Sequence, residues 1–319
     1  MRPILFVVGH FYVSAYSAMM FLAVMAALAF IAPRIRYRSL DPALLAKATT
    51  IMLIGGWLAG RAAAWLIGSG RGVEVFSPAN RAPGSLTFFL LGASVALVVF
   101  LFATGANVFT YVDALAPSAF LGLAVAKIGC LLAGCCAGDV CASVPGITYP
   151  YGSLPYEHQY RAELLPVPAG LVRSEKDSAK PLWPHAQLLT IHPEIIEQLL
   201  VEDGLPAARG PEIVARAQVE RSLPVLPLPL LVSAAALAGW LLAEVIYRKS
   251  QRTGETFAFV LAGYGVIRLT LDWLLPERGV LLLGLSAAQW LGVVALLLSA
   301  AIFFHLRRPS RRRNFTSHT

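Results

Sequence analysis

VDALAPSAFLGLAVAKIGCLLAGCC, residues 112–136, decides how the chain is read. The stretch is apolar almost throughout, yet it carries a lysine, Lys127, well inside it. A run of ~20 apolar residues is long enough to cross a ~30 Å hydrocarbon core as a helix, and continuous apolarity without alternation argues against a half-buried strand. A lysine within such a run costs ~2.5–3.5 kcal/mol on insertion scales, which makes it a functional candidate by default.

Six further apolar runs flank this one, at about 11–32, 48–68, 84–103, 223–247, 255–275 and 279–305. Apolar residues make up 57% of the chain and charged ones only 14%, with a mean hydropathy of +0.66. That balance excludes an ordinary soluble domain. The expected fold is all-α, a polytopic membrane bundle of about seven helices, because only helices or closed barrels satisfy every backbone group in lipid. The first run is longer than a signal-peptide core and is read as a retained span.

The +8 net charge is unevenly placed. Arg34, Arg36, Arg38 and Lys47 follow span 1; Arg248, Lys249 and Arg252 follow span 5; Arg307, Arg308, Arg311, Arg312 and Arg313 follow span 7. The short segments of the other side carry only Arg2, Arg71, Arg81 and Arg278. By the positive-inside rule the N-terminus is outside and the C-terminus cytoplasmic. Such clusters set topology and touch anionic lipid, so nucleic acid is not expected as a partner. The resulting division is spans 1–4 in residues 1–138, an outer loop or small head in 139–222, spans 5–7 in 223–305 and a basic tail in 306–319. The head has too few apolar residues for an independent core, with short helices expected after Pro193 and Pro211, prolines being tolerated in a first helical turn.

Three cations lie inside spans: Arg61, Lys127 and Arg268. Each sits about six to eight residues before the outer end of its run, or ~10 Å below the surface at 1.5 Å per residue. Tyr16 reaches the same layer in span 1, and Asp272 follows Arg268 by four residues, on the same helix face. Any one cation is accounted for by snorkelling or local pairing. Three at one depth call for an anion, and within a membrane the natural one is a phospholipid phosphate, for which arginine is well shaped.

At these positions the chain resembles the prolipoprotein diacylglyceryl transferases, a family of seven-span bacterial inner-membrane enzymes. SAYSAMM (14–20) resembles the Tyr-Gly motif of the first span, and GGWLAGRAAAWLI (55–67) the Gly-x-x-x-Gly-Arg segment. DALAPSAFLGLAVAKIGCLLAGCCAGD (113–139) is similar to the signature of Asp, Ala-Pro and Gly-Arg-Ile-Gly, which contains Gly129. GYGVIRLTLDWL (263–274) resembles the Arg-Phe-x-x-Glu block, and GLSAAQW (284–290) the Ser-x-x-Gln-Trp element with Gln289. The resemblance implies transfer of a diacylglyceryl group from phosphatidylglycerol to the lipobox cysteine of prolipoprotein signal peptides, with release of glycerol phosphate. It implies Arg268, Lys127 and Tyr16 as catalytic residues, with Arg61, Asp272, Gly129 and Gln289 joining Lys127 and Arg268 in binding the phospholipid. No cofactor and no metal are expected, and the location implied is the bacterial cytoplasmic (inner) membrane, with the active region facing the periplasm.

The chain departs from the family pattern at several points. Lys127 stands for an arginine, Asp272 for a glutamate, and Cys130 and Ala133 for asparagines. Phe89 occupies a histidine position, and Leu226, Pro229, Leu231 and Val232 replace polar groups of a His-Pro-Thr-Gln-Leu-Tyr-Glu block. The usual base candidate is therefore absent, with His10, His158, His185 and His192 as substitutes or as ordinary surface residues. These losses also fit a non-catalytic paralog that binds anionic phospholipid or lipoprotein precursors.

Leu131–Cys135 itself has the form of a lipobox, but it lies in mid-chain, inside the signature of the enzymes that modify lipoboxes. Cys130, Cys135, Cys136 and Cys141 have no standard zinc spacing. Helix packing is the simple reading of the first two. Cys136 and Cys141 face an oxidising side, where a disulfide between them is one expectation.

Overall fold

The computed structural model describes residues 4–8, 11–67, 85–141, 146–166, 171, 210–275 and 280–307. Arg71, Arg81, Arg278, His10, His185, His192, Arg308, Arg311, Arg312, Arg313 and the helix expected after Pro193 lie outside these residues. The described chain is a set of long apolar helices with a looped insertion. Six helices are long and apolar enough to cross a membrane: Ala15–Arg38, Pro42–Ala63, Val108–Ala133, Leu228–Lys249, Glu255–Leu274 and Ala288–Arg307. A shorter apolar helix, Phe88–Ala103, fills the place of span 3. Together they match the seven expected runs. The protein is a multi-pass membrane protein.

Apolar side chains cover the outside of these helices. Phe21, Leu58, Val99, Phe102, Leu297 and Phe304 are all exposed, a surface suited to lipid and not to water.

Three runs start later than their apolarity suggests. Residues 11–14 pair as an antiparallel strand with Ile4–Val8, so span 1 begins at Ala15. Val280–Leu282 pairs with Leu285–Ser286, so the last helix begins at Ala287. Val225 bridges to Val140 and Ile147, so span 5 begins at Leu228. Apolar composition does not distinguish a membrane helix from an apolar extended segment beside it.

The chain divides into two units. The first comprises Met1–Ala27, Ala119–Trp240 and Ile267–Ser286, and the second Leu28–Ser118, Leu241–Val266 and Ala287–Thr319.

In the first unit, the segments 138–141, 146–150 and 221–226 are laced by backbone hydrogen bonds, among them Gly138 N–H to Leu226 O at 3.0 Å and Cys141 N–H to Pro224 O at 2.9 Å. Gln159 clamps Leu223, accepting from its N–H at 2.7 Å. The core of this head is aromatic: Tyr149, Tyr151 and Tyr156 are buried, with Tyr151 and Tyr156 edge to face at 5.2 Å. Tyrosine thus supplies the apolar area that aliphatic residues do not. The helix expected after Pro211 is present as Gly210–Val219, burying Ile213, Val214 and Ala217.

The second unit packs Ile31, Leu45, Leu97, Leu101, Tyr111 and Leu115 around Tyr247. It also corrects the reading of Arg34 as a loop cation. Arg34 is 1% exposed, binds Glu244 at 2.9 Å and donates to the Ala114 carbonyl at 3.1 Å and Ser118 Oγ at 2.7 Å. Pro117 lies inside this helix, where it has no N–H to give the preceding turn, and Arg34 supplies donors there. Asp113, the first residue of the signature, is fully buried and accepts from the N–H groups of Gly254 at 2.7 Å and Phe257 at 2.8 Å. Its carboxylate caps the N-terminus of helix Glu255–Leu271 from another helix, the favourable end of the dipole for an anion. Glu244 and Asp113 are thus two acids held within the apolar helices of this unit.

Spans 2 and 3 meet through small residues. A Cβ on Gly92 would lie 2.2 Å from Ala59 Cβ and 2.8 Å from Gly55 O. Close backbone approach of this kind is how helices associate in lipid. Gly92→Leu is expected to cost about 1–3 kcal/mol through overpacking, read as a lower melting temperature of the purified protein, with Gly122→Ala as a control because a Cβ there meets nothing closer than 3.8 Å.

Candidate active site

Span 4, Val108–Ala133, brings Lys127 to the last two turns of a helix whose end is shaped by left-handed residues. Gly134 has φ +78° and Cys136 φ +59°. A left-handed residue after a helix is the common way to end it, usually with glycine. For Cys136, which has a Cβ, the same conformation costs about 1–2 kcal/mol. The reversal folds Cys135 and Cys136 back onto the last turn, and the sulfurs of Cys130, Cys135 and Cys136 all lie within 4.8 Å of one another. All four cysteines are free thiols. The expected Cys136–Cys141 disulfide is therefore not present: the turn carries Cys136 to Cys130, while Cys141 is held along the 224 segment.

Arg268 reaches the same place from span 6. Its Nη1 is 3.4 Å from Asp272 Oδ1, the contact expected from the four-residue spacing. Both Lys127 and Arg268 act on Cys136. Sulfur hydrogen bonds from Cys130 and Cys135 hold the Cys136 thiol low, burial opposes them, and the two cations add to the lowering. Lys127 and Arg268 thus share one locus, beside the cysteine turn.

Tyr16 adjoins the same helix. A Cβ on Gly129 would lie 2.8 Å from Met19 Cβ and 3.5 Å from the Tyr16 carbonyl. Gly129 acts here by admitting span 1, whose Tyr16 backbone passes against this turn of span 4. Tyr149 completes the neighbourhood. It is 1% exposed, its ring lies 3.0 Å from where a Gly134 Cβ would be, and its hydroxyl has no hydrogen-bond partner among the described residues. Burial first, then the three cysteines, push it up to about 12. Nothing in the sequence marked Tyr149. The signal lay in Gly134, a glycine directly after an apolar helix.

Arg61 and Gln289 belong to the second unit. Arg61 Cζ is 6.0 Å from the Trp57 ring centroid, and Gln289 is fully buried. Phe89, at the family's histidine position, lays its ring 3.0 Å from where a Gly56 Cβ would be. It is a packing residue. Leu226, at another, binds Asp139 and Gly138 through its backbone alone. Of the histidines proposed as substitutes, His158 is described and lies on helix Leu154–Arg161 of the head.

Comparison with known proteins settles the family. The sequence profile described as prolipoprotein diacylglyceryl transferase matches residues 3–305, nearly the whole chain. The chain belongs to the prolipoprotein diacylglyceryl transferase family. It is also 26% identical over 245 residues to a protein of Rhodopirellula baltica (strain DSM 10527 / NCIMB 13988 / SH1) named phosphatidylglycerol–prolipoprotein diacylglyceryl transferase. That match covers 60% of this chain and 50% of the relative, so the chain spans about half the length of the curated protein it resembles.

Proposed function

We propose that this protein transfers a diacylglyceryl group from phosphatidylglycerol to the lipobox cysteine of prolipoproteins. The observation that carries the reading is the common locus of Lys127 and Arg268 at the end of span 4, where both act on Cys136. In the transfer, the acceptor sulfur attacks the glycerol carbon and the C–O bond to phosphate breaks. The electron pair leaves with glycerol phosphate, which gains a negative charge. Lys127 and Arg268 neutralise that charge from fixed positions, which lowers the barrier without reorganisation. Asp272 positions Arg268 through the 3.4 Å contact. Tyr16 donates to the same headgroup, and the resemblance extends lipid-binding roles to Arg61 and Gln289. The cations that follow spans 1, 5 and 7 support a topology with the N-terminus and residues 139–222 outside, the tail in the cytoplasm and the active region on the periplasmic side of the inner membrane.

One observation favours a second reading, a non-catalytic binder of anionic phospholipid or lipoprotein precursors. Phe89 packs against helix Pro42–Ile67, leaving no imidazole at that position. The test is reconstitution: purified protein with phosphatidylglycerol vesicles and a lipobox peptide should release glycerol phosphate and yield a lipidated peptide. Binding of both substrates with no release under any condition overturns the transfer and leaves the second reading.

A further inference from the structure

The three-cysteine turn is more than a packing device, and three facts meet there. Cys130, Cys135 and Cys136 have their sulfurs within 4.8 Å of one another. Cys136 is held left-handed to achieve this, and such strain in a non-glycine residue is a pointer to function. The ring of the buried Tyr149 packs against Gly134 of the same turn, and its hydroxyl has no hydrogen-bond partner among the described residues, although a buried hydroxyl normally finds one. A group belonging between the sulfurs and the tyrosine accounts for all three. Zinc bound to cysteine has Zn–S near 2.3 Å, which sets sulfurs about 3.8 Å apart in a tetrahedron. The present spacing reaches that with a contraction of about 1 Å or less.

We propose that Cys130, Cys135 and Cys136 form a zinc site with three protein thiolates and one open position, and that the open position takes the acceptor thiol of the prolipoprotein. This rests on the transfer reading above. Three thiolates select a soft or borderline cation, and three protein ligands with an exchangeable fourth are the pattern of catalytic zinc, not structural zinc. Charge is consistent. Zinc with the three protein thiolates carries one net negative charge, and two once the acceptor thiolate binds, beside the cations Lys127 and Arg268.

The chemistry gives the acceptor what it lacks. A free cysteine has a pKa of ~8.5, whereas a coordinated thiol is deprotonated outright. On binding, the acceptor loses its proton to water. Its metal-bound sulfur then attacks the glycerol carbon as the C–O bond breaks, glycerol phosphate departs with the electron pair, and the neutral thioether leaves the zinc. No oxidant or reductant is required.

The spacing of 130, 135 and 136 fits no zinc motif, because it depends on the turn at Gly134 and not on a ribbon or knuckle. The full chain, purified in detergent after expression with added zinc, should contain about one zinc per chain by elemental analysis, within the tetrahedral three-thiolate range of stoichiometry. Cobalt(II) in its place should give a thiolate-to-metal charge-transfer band. Cys130→Ser and Cys136→Ser should lose metal and band, while Cys141→Ser keeps both. A lipobox peptide should alter the band, and its serine counterpart should not. Removing zinc, or Cys136→Ser, should reduce glycerol phosphate release by about 10²-fold, the scale of a lost activating base.

If Cys136→Ser does not fold, cobalt titration of the unaltered protein with the two peptides decides. Full turnover in metal-free protein overturns the zinc site and leaves the transfer standing. A peptide-sensitive cobalt band without turnover upholds the site and overturns the transfer. A Cys130–Cys136 disulfide, copper alone, or a diacylglyceryl group on Cys135 in the purified protein overturns the proposal.

Discussion

Arg268→Ala is expected to lower glycerol phosphate release by about 10²–10³-fold, the range for loss of one preorganised donor at a developing negative charge. Two consequences separate in this variant. The leaving phosphate loses a cation that reaches the cysteine turn from span 6. Asp272, which is 8% exposed, also loses its 3.4 Å partner, and an acid left alone in a buried layer destabilises the fold. Arg268→Lys restores the charge but not the fork, so it should recover stability and part of the activity. Arg248→Ala is the control. Arg248 is on the same apolar class of helix but is exposed and only 3.5 Å from Glu244 at the surface, so turnover should be unchanged. Equal activity of Arg268→Ala and Arg248→Ala at matched expression removes Arg268 from the site.

The second large effect is expected at Lys127. An ammonium offers one charge and three rotatable donors, with no planar pair for two phosphate oxygens. Lys127→Arg therefore keeps or raises turnover. Lys127→Met preserves length and removes the charge, and should lose turnover by about 10²-fold. It should also raise stability or leave it unchanged, because an ion is no longer kept in an apolar layer. Falling activity with unchanged or rising melting temperature is the signature of a working group, and it distinguishes Lys127 from a packing residue. A stable and fully active Lys127→Met protein overturns the assignment and weakens the transfer reading with it. Lys127→Arg and Gly129→Ala make a useful contrast. The glycine change leaves charge intact but sets a Cβ 2.8 Å from Met19, so it should act through span packing and lower stability.

Sequence was most informative where the signal is local and one-dimensional. Seven apolar runs of membrane length, the cations within them and the Arg268–Asp272 spacing are all properties of chain order, and helix geometry converts them directly into position. The ordered motifs from 14–20 to 284–290 carried the family in the same way. The edges of spans 1, 5 and 7 were not legible, because Phe11–Ser14, Val225 and Val280–Leu282 are as apolar as the helices they precede. Two of these segments close local hairpins, with Ile4–Val8 and with Leu285–Ser286, while Val225 is held by Val140 and Ile147, distant in the chain.

Arg34 and the cysteines show the same boundary more sharply. In sequence, Arg34 is one of a basic cluster, like Arg36 and Arg38. Only the return of span 5 brings Glu244 to it, at a separation of 210 residues. Cys130, Cys135 and Cys136 have a spacing that means nothing on a straight helix. One left-handed turn at Gly134 and Cys136 makes them neighbours, and the fold of the head sets Tyr149 against that turn. Chain order alone determined the lipid-crossing helices and the charges buried in them, since hydrophobic length and charge cost are summed residue by residue. The tertiary structure alone decided which charges pair between helices, as Arg34 does with Glu244, and which thiols share a site, since such pairing and coordination depend on distances through space that backbone turns create.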